Sequence, residues 1–282
     1  MLQTTDQWVR PVAYRASTLT AHSLAIERVI QAMRAQLSEP LSLEEMAEIA
    51  CMSPFHFNRT FRSIVGAPPG EFLAVLRMDA AKRLVLTTPL SVTDVCFELG
   101  YASLGTFANR FKQLIGLSPV QLRQFAGDFA PTSLELRRED DRATRPRPLV
   151  KDSGVSGSVA VLDHFQGLIF IGLFPRPIPL HRPVACTTLA APGGFQILPV
   201  PDGRYYLLAA AVPASPNALS YLLPESGRLV AVGVQPVLVH GGRASAPVDL
   251  TMRPVQAADP PILGVFPSLL RTPAATRLST LA

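Results

Sequence analysis

Residues 41–69 (LSLEEMAEIACMSPFHFNRTFRSIVGAPP) return in degenerate form as residues 90–119 (LSVTDVCFELGYASLGTFANRFKQLIGLSP). Internal self-similarity of this kind means that one structural unit has been built twice. Leu41 and Ser42 match Leu90 and Ser91 at an offset of 49, and after one inserted residue Phe57, Phe61, Gly66 and Pro69 match Phe107, Phe111, Gly116 and Pro119 at an offset of 50.

Each copy spells two helices and a turn. Ser42 followed by Glu45 is a capping box, which starts a helix at Leu43; Ser91 and Asp94 play the same parts in the second copy. Three or four turn residues follow. Ser53-Pro54 then supplies an N-cap with proline at the first helical position, where no backbone donor is lost, and Ser103 caps the equivalent helix. Within those second helices Phe57 with Phe61, and Phe107 with Phe111, are four apart and share an apolar stripe. A further helix over residues 71–86 is expected to join the copies.

The opposite faces are polar, with Phe55, His56, Asn58, Arg59 and Arg62 in the first copy and Gly105, Thr106, Asn109, Arg110 and Lys112 in the second. Arginine and asparagine can pair with guanine and adenine edges in two hydrogen bonds at once, each pair worth about 1–3 kcal/mol of discrimination. A wet face on a helical bundle would look similar for either helix alone; the repeat of the whole capped unit is what favours recognition. His56 is read as a phosphate or solvent contact, and Arg77, Lys82 and Arg83 on the joining helix as pairing with Asp79 or nearby acids in preference to touching DNA.

Two capped helix-turn-helix units joined by a helix resemble the AraC/XylS family. The resemblance covers residues 24–126, most specifically Val95, Gly100-Tyr101, Phe107, Arg110-Phe111-Lys112, Gly116 and Ser118-Pro119. It implies a transcription regulator whose two recognition helices enter successive major-groove segments of double-stranded DNA. Base contacts are then expected from Phe55, Asn58, Arg59, Thr106 and Asn109, and phosphate contacts from Ser53, Arg62, Ser103, Arg110 and Lys112. Only Thr106 and Asn109 carry hydrogen-bonding side chains among the second copy's reading positions, so the first copy is expected to dominate base readout. RNA polymerase is a further implied partner. Family members commonly carry this domain at the C-terminus, and here the order is reversed.

The bulk numbers constrain the rest. The net charge of +5 is modest, and residues 24–127 hold ten basic against nine acidic side chains, so any DNA contact must come from placed residues and helix N-termini rather than from a smeared positive field. Three widely spaced cysteines, Cys51, Cys96 and Cys186, support neither a disulfide framework nor a zinc site. No apolar leader and no run of about 20 apolar residues is present, so the expectation is a cytoplasmic, nucleoid-associated chain that touches no membrane. No cofactor is expected. Asp163-His164 is a mere sequence neighbour pair, and no catalytic motif accompanies it, which argues against an enzyme.

The expected fold class is multidomain α plus β. Residues 1–23 read as a flexible arm, 24–127 as an all-α double helix-turn-helix domain, 128–152 as a solvated linker, 153–266 as an all-β sandwich and 267–282 as a loose tail. Residues 152–282 hold 14 charged residues against 17 prolines, with candidate strands at 157–162, 168–174, 194–198, 204–211, 228–232, 236–240 and 248–253. Gly157-Ser158-Val159, the segment from Gly194 to Ile197, the tight-turn pair Asp202-Gly203 with the strand after it, and the segment from Val248 to Thr251 resemble transthyretin-like or carboxypeptidase-regulatory-like modules. Phe174-Pro175-Arg176-Pro177-Ile178-Pro179 reads as a stiff crossover loop that could line a pocket. This half could sense a small-molecule effector through Arg176, Arg182 or Arg204, associate as a homodimer or with another protein, or only stabilise. The competing class is a helical scaffold or protein-interaction protein with a β-sandwich appendage and no DNA role.

Overall fold

The computed structural model describes residues 11–128, 154–161, 164–179, 182–215, 217, 219–223, 227–233 and 235–263. Seven helices come first: α1 (Pro11–Ala35), α2 (Leu43–Ile49), α3 (Pro54–Val65), α4 (Pro69–Thr87), α5 (Val92–Glu98), α6 (Leu104–Ile115) and α7 (Pro119–Asp128). Helix α1 begins inside the stretch read as an arm. The linker residues 129–152 and the tail 267–282 lie outside the described residues.

The helix starts follow from local chemistry. The Glu45 N–H donates to Ser42 Oγ at 3.2 Å while the Ser42 N–H donates to Glu45 Oε2 at 2.7 Å. Ser91 and Asp94 make the same reciprocal pair, each at 3.1 Å. Each pair satisfies two donors that the first turn leaves orphaned. Gln121 and Ser118 form a third at α7.

Two apolar cores hold the helices. Ile26, Val29, Ile30 and Met33 of α1 pack with Met46, Phe57, Phe61 and Phe72, and the Phe57, Phe61 and Phe72 rings meet edge to face at 5.6 Å. Val95, Phe107, Phe111, Leu122 and Phe125 form the second core. Helix α4 serves both, giving Phe72, Leu73 and Leu76 to the first and Val75, Met78, Ala81 and Val85 to the second. One arginine ties each unit to the chain entering it. Arg77 donates to the carbonyls of Leu37 at 2.7 Å and Glu39 at 2.6 Å, and Arg123 to those of Val85 at 3.0 Å and Leu90 at 2.7 Å.

The C-terminal region is rich in strands: β1 (Val155–Val161), β2 (Gly167–Phe174), β3 (Ala185–Leu189), β4 (Gly193–Ile197), β5 (Gly203–Pro213), β6 (Leu229–Val232), β7 (Val237–His240), β8 (Arg243–Ala244) and β9 (Val248–Pro254), with a short helix α8 (Leu219–Leu222) between β5 and β6. All seven expected strands are present; β3 and β8 are additional. The main path runs β3-β2-β5-β6-β9-β1-β4, with β7 paired to the start of β5 and to β8. Its two ends, β3 and β4, lie against each other, so the sheet nearly closes around Val155, Ile169, Ile171, Leu173, Phe195, Leu207, Val239 and Leu250. Asp202 fixes the rim, accepting from the N–H groups of Gly241 at 2.9 Å and Gly242 at 2.8 Å. Those bonds hold its carboxyl below the usual range.

Strand β2 is buried along its whole length. Successive side chains point to opposite faces, so Ile169, Ile171 and Leu173 fill the sheet interior while Leu168 and Phe170 join the second helical core. Their cross-strand partners Val212 and Ala210 on β5 do the same. Helical units and sheet therefore share apolar packing, to which each fully buried large side chain contributes about 1.5–3 kcal/mol. Lys82 adds a polar tie. It is buried on α4 and donates from Nζ to the Leu263 carbonyl at 3.0 Å. Loss of hydration pushes its ammonium down to about 8, against the opposing pull of Asp79, with Arg228 and Arg83 adding to the depression. Arg77 and Lys82 are thus structural groups as expected, but bonded to backbone carbonyls where acidic side chains were the expected partners.

Candidate nucleic-acid interface

Helices α3 and α6 are twins. Both have twelve residues; Ser53 and Ser103 accept from the third residue beyond, His56 and Thr106, at 3.4 Å; and both end on a left-handed glycine, Gly66 or Gly116. Burying Phe57 with Phe61 and Phe107 with Phe111 fixes how each helix rolls against its partner. The face turned outward is fixed with it. Phe55, Arg59 and Arg62 occupy one exposed stripe on α3, and at the offset of 50 Gly105, Asn109 and Lys112 occupy the same stripe on α6. Phe55 is 81% exposed.

The remaining expected contacts divide. Ser53, Ser103 and Thr106 are exposed at the helix starts, where the serine oxygens act as caps. Asn58 is half-buried at the edge of the stripe, with Oδ1 enclosed and without a hydrogen-bond partner among the described residues. Arg110 stands at the register of Thr60, which is buried in the first unit, and is itself half-buried with Nε enclosed. Its charge opposes the desolvation that raises the Tyr101 hydroxyl. The ring of His56 meets His22 of α1 at 5.4 Å.

The turn between the helices also differs between the units. Each turn passes through the left-handed region, at Gly100 with φ +71° and at Cys51 with φ 56°. Only glycine reaches that region without steric cost. Gly100 is further constrained because a Cβ there would lie 2.1 Å from the Ser38 carbonyl oxygen. Cys51 is exposed, so its side chain contributes little packing.

The three arginines expected to meet an effector are far from equivalent. Arg176 is bonded to Glu71 at the start of α4, at 3.0 and 2.8 Å. Arg204 lies against the Tyr206 ring, 5.8 Å from its centroid. Arg182 alone lines a cavity of about 260 Å³ between the end of α6 and the outer face of β2, β5 and β6, where Ile115, Phe170, Leu208, Val230 and Ile262 form much of the wall. Sequence reasoning missed Glu71 and Arg123. An acid in a helix's first turn, and an arginine at the fifth position of a capped helix, were the available signals. Among the described residues no His, Cys, Asp or Glu cluster could hold a metal ion, and no helix is long and apolar enough to cross a membrane.

A helix-turn-helix domain model matches residues 46–124. The transcriptional activator AarP of Providencia stuartii is 32% identical over 113 residues, which span 40% of this chain and 84% of AarP. The chain belongs to the AraC family of helix-turn-helix proteins. The transcriptional regulator GlxA of Rhizobium meliloti is 32% identical over 103 residues, covering 36% of this chain and 32% of GlxA. The DNA-binding domain of AdpA, solved with a target DNA, is 31% identical and is matched over 89% of its length by 35% of this chain, with a TM-score of 0.34.

The turn geometry predicts opposite outcomes for two swaps. Cys51→Gly is expected to stabilise the chain by about 0.5–1 kcal/mol through relief of the left-handed strain. Gly100→Ala is expected to cost more than about 2 kcal/mol. Urea unfolding midpoints measure both, and a lower midpoint for Cys51→Gly would contradict the account.

Proposed function

We propose that this AraC-family chain is a sequence-specific DNA-binding transcription regulator that lays α3 and α6 into successive major-groove segments on one face of the duplex. The observation that carries the reading is the duplicated exposed stripe, Phe55, Arg59 and Arg62 repeated as Gly105, Asn109 and Lys112. Arg59 and Asn109 offer base-pairing forks, Arg62 and Lys112 offer phosphate partners, and Phe55 offers an apolar surface to thymine methyls. Asn58 and Thr106 flank the stripe as further base contacts, and Ser53, Ser103 and Arg110 as phosphate contacts. Unit one is the stronger reader because Arg59 presents a two-pronged donor and Phe55 an apolar contact where unit two has Asn109 and Gly105. A DNA partner places the chain in the cytoplasm. AarP and GlxA carry names of transcriptional proteins, which supports a regulator over an enzyme or a helical scaffold.

Binding to a panel of duplexes differing at single base pairs tests the assignment. Arg59→Ala is expected to flatten base preference at its position by about 1–3 kcal/mol. Asn109→Ala is expected to flatten less, and the reverse order would overturn the ranking of the units.

For the strand-rich half, whose likeness to transthyretin-like sandwich modules rests on the Asp202-Gly203 turn and its neighbouring strands, we infer an effector role in preference to association. The cavity carries this reading. A dry cavity of about 150 Å³ accommodates benzene, so the larger space here suits one ring bearing a short anionic arm directed at Arg182. Cyclohexanecarboxylate is expected to raise the unfolding temperature, with the shift lost in Arg182→Gln. An equal shift from the uncharged cyclohexanecarboxamide, or none from either, would count against it.

A further inference from the structure

The two recognition helices sit on separate apolar cores bridged by α4. Their fit to a duplex depends on the distance between them, because successive major-groove segments recur at about 34 Å. The connection between β2 and β3 touches both helices at corresponding points. On the first unit, Pro177 lies flush on Gly66, the left-handed cap of α3. Its Cγ is 3.0 Å from where a Cβ at Gly66 would stand, so a side chain there would press on the proline. Next to it, the Arg176 guanidinium donates twice to the Glu71 carboxylate in the first turn of α4. On the second unit, Arg182 donates from Nη2 to the carbonyl of Gly116, the left-handed cap of α6, at 3.2 Å. One stretch of chain therefore holds the matching corner of each unit.

The described residues of that stretch are restrained and anchored. Pro175, Pro177, Pro179 and Pro183 restrict its backbone. Ile178 between them is 1% exposed and belongs to the second core. At the base, the Val184 N–H donates to the Leu173 carbonyl at 2.8 Å, continuing the pairing of β2 with β3. The contacts at Gly66 and Gly116 lie at the C-terminal ends of α3 and α6 and that at Glu71 in the first turn of α4, away from the exposed reading stripe.

We propose that Arg176, Pro177 and Arg182 form a brace that sets the separation of the two recognition helices, so that the strand-rich half determines which spacing of DNA segments the chain accepts. This inference rests on the DNA-binding reading above. The brace makes no contact with bases; it acts through Glu71, Gly66 and Gly116 as a positioning element. It also gives a physical reason for the apolar seam, which carries the loop on a body fixed to the second unit.

The test uses the full chain and a duplex pool in which two randomised segments are separated by a spacer scanned over about one helical turn. Wild type is expected to enrich a narrow set of spacers. Arg176→Glu with Arg182→Ala is expected to broaden it, lowering the preference for the best spacer over its one-base-pair neighbours by about threefold, the scale of an exposed ion pair plus one hydrogen bond. Restoring the pair with reversed charge, Arg176→Glu with Glu71→Arg, is expected to narrow the distribution relative to Arg176→Glu alone, a rescue that general destabilisation would not produce. The same narrow spacer set in every variant, or broadening without rescue by the reversed pair, would overturn the brace. Failure of wild type to bind any duplex would instead overturn the DNA-binding reading itself.

Discussion

Burial of both faces of β2 is the constraint on which the rest depends. A strand whose alternate residues fill the sheet interior and the second helical core cannot be withdrawn from either without exposing a row of aliphatic and aromatic side chains. Phe170 opposite Ala210 and Leu168 opposite Val212 leave the sheet no wet face at this point. Interiors are close-packed and transmit displacement rather than absorb it. A shift in the sheet is therefore felt at Leu114 and Ile115, the last turn of α6, and through α4 at the other unit. Lys82 closes the same seam from the helical side by holding the Leu263 carbonyl.

Against that fixed frame, the two copies of the repeat have kept their architecture and parted in chemistry. Caps, phenylalanine pairs and terminal glycines agree position by position, because each is a local requirement for a helix of that length in that place. The outward residues have no such requirement, and there Phe55 stands against Gly105 and Arg59 against Asn109. Cys51 against Gly100 shows the division from the other side. The second unit's turn is pressed against Ser38 and needs glycine, whereas the first has room for a side chain and tolerates a strained one.

How much was legible follows from range. The capping boxes at Ser42 and Ser91, proline at the start of α3 and the Phe pairs are decided within a few residues, and the helices begin where those signals place them. Strands with alternation or a sustained aliphatic run were legible too; β3 was not, since ACTTL has neither, and every one of its residues is half-buried. The start of α1 at Pro11 falls where the chain shows no apolar period. Least legible was the site's long-range part. The run LIFIGLF in β2 signals two-sided burial, but nothing local says that helices cover the second side. Likewise Arg176, Arg182 and Arg204 looked alike in sequence, and only the fold separates an ion-paired brace, a cavity wall and a ring-stacked rim residue.

Selection of bound duplexes from a fully random pool tests the central claim most directly, because it asks both recognition helices the same question at once. Two enriched segments about one helical turn apart, the sharper one shifting in Arg59→Ala and the weaker one in Asn109→Ala, is the predicted result. Enrichment of no sequence, or of a single segment indifferent to both substitutions, would contradict it.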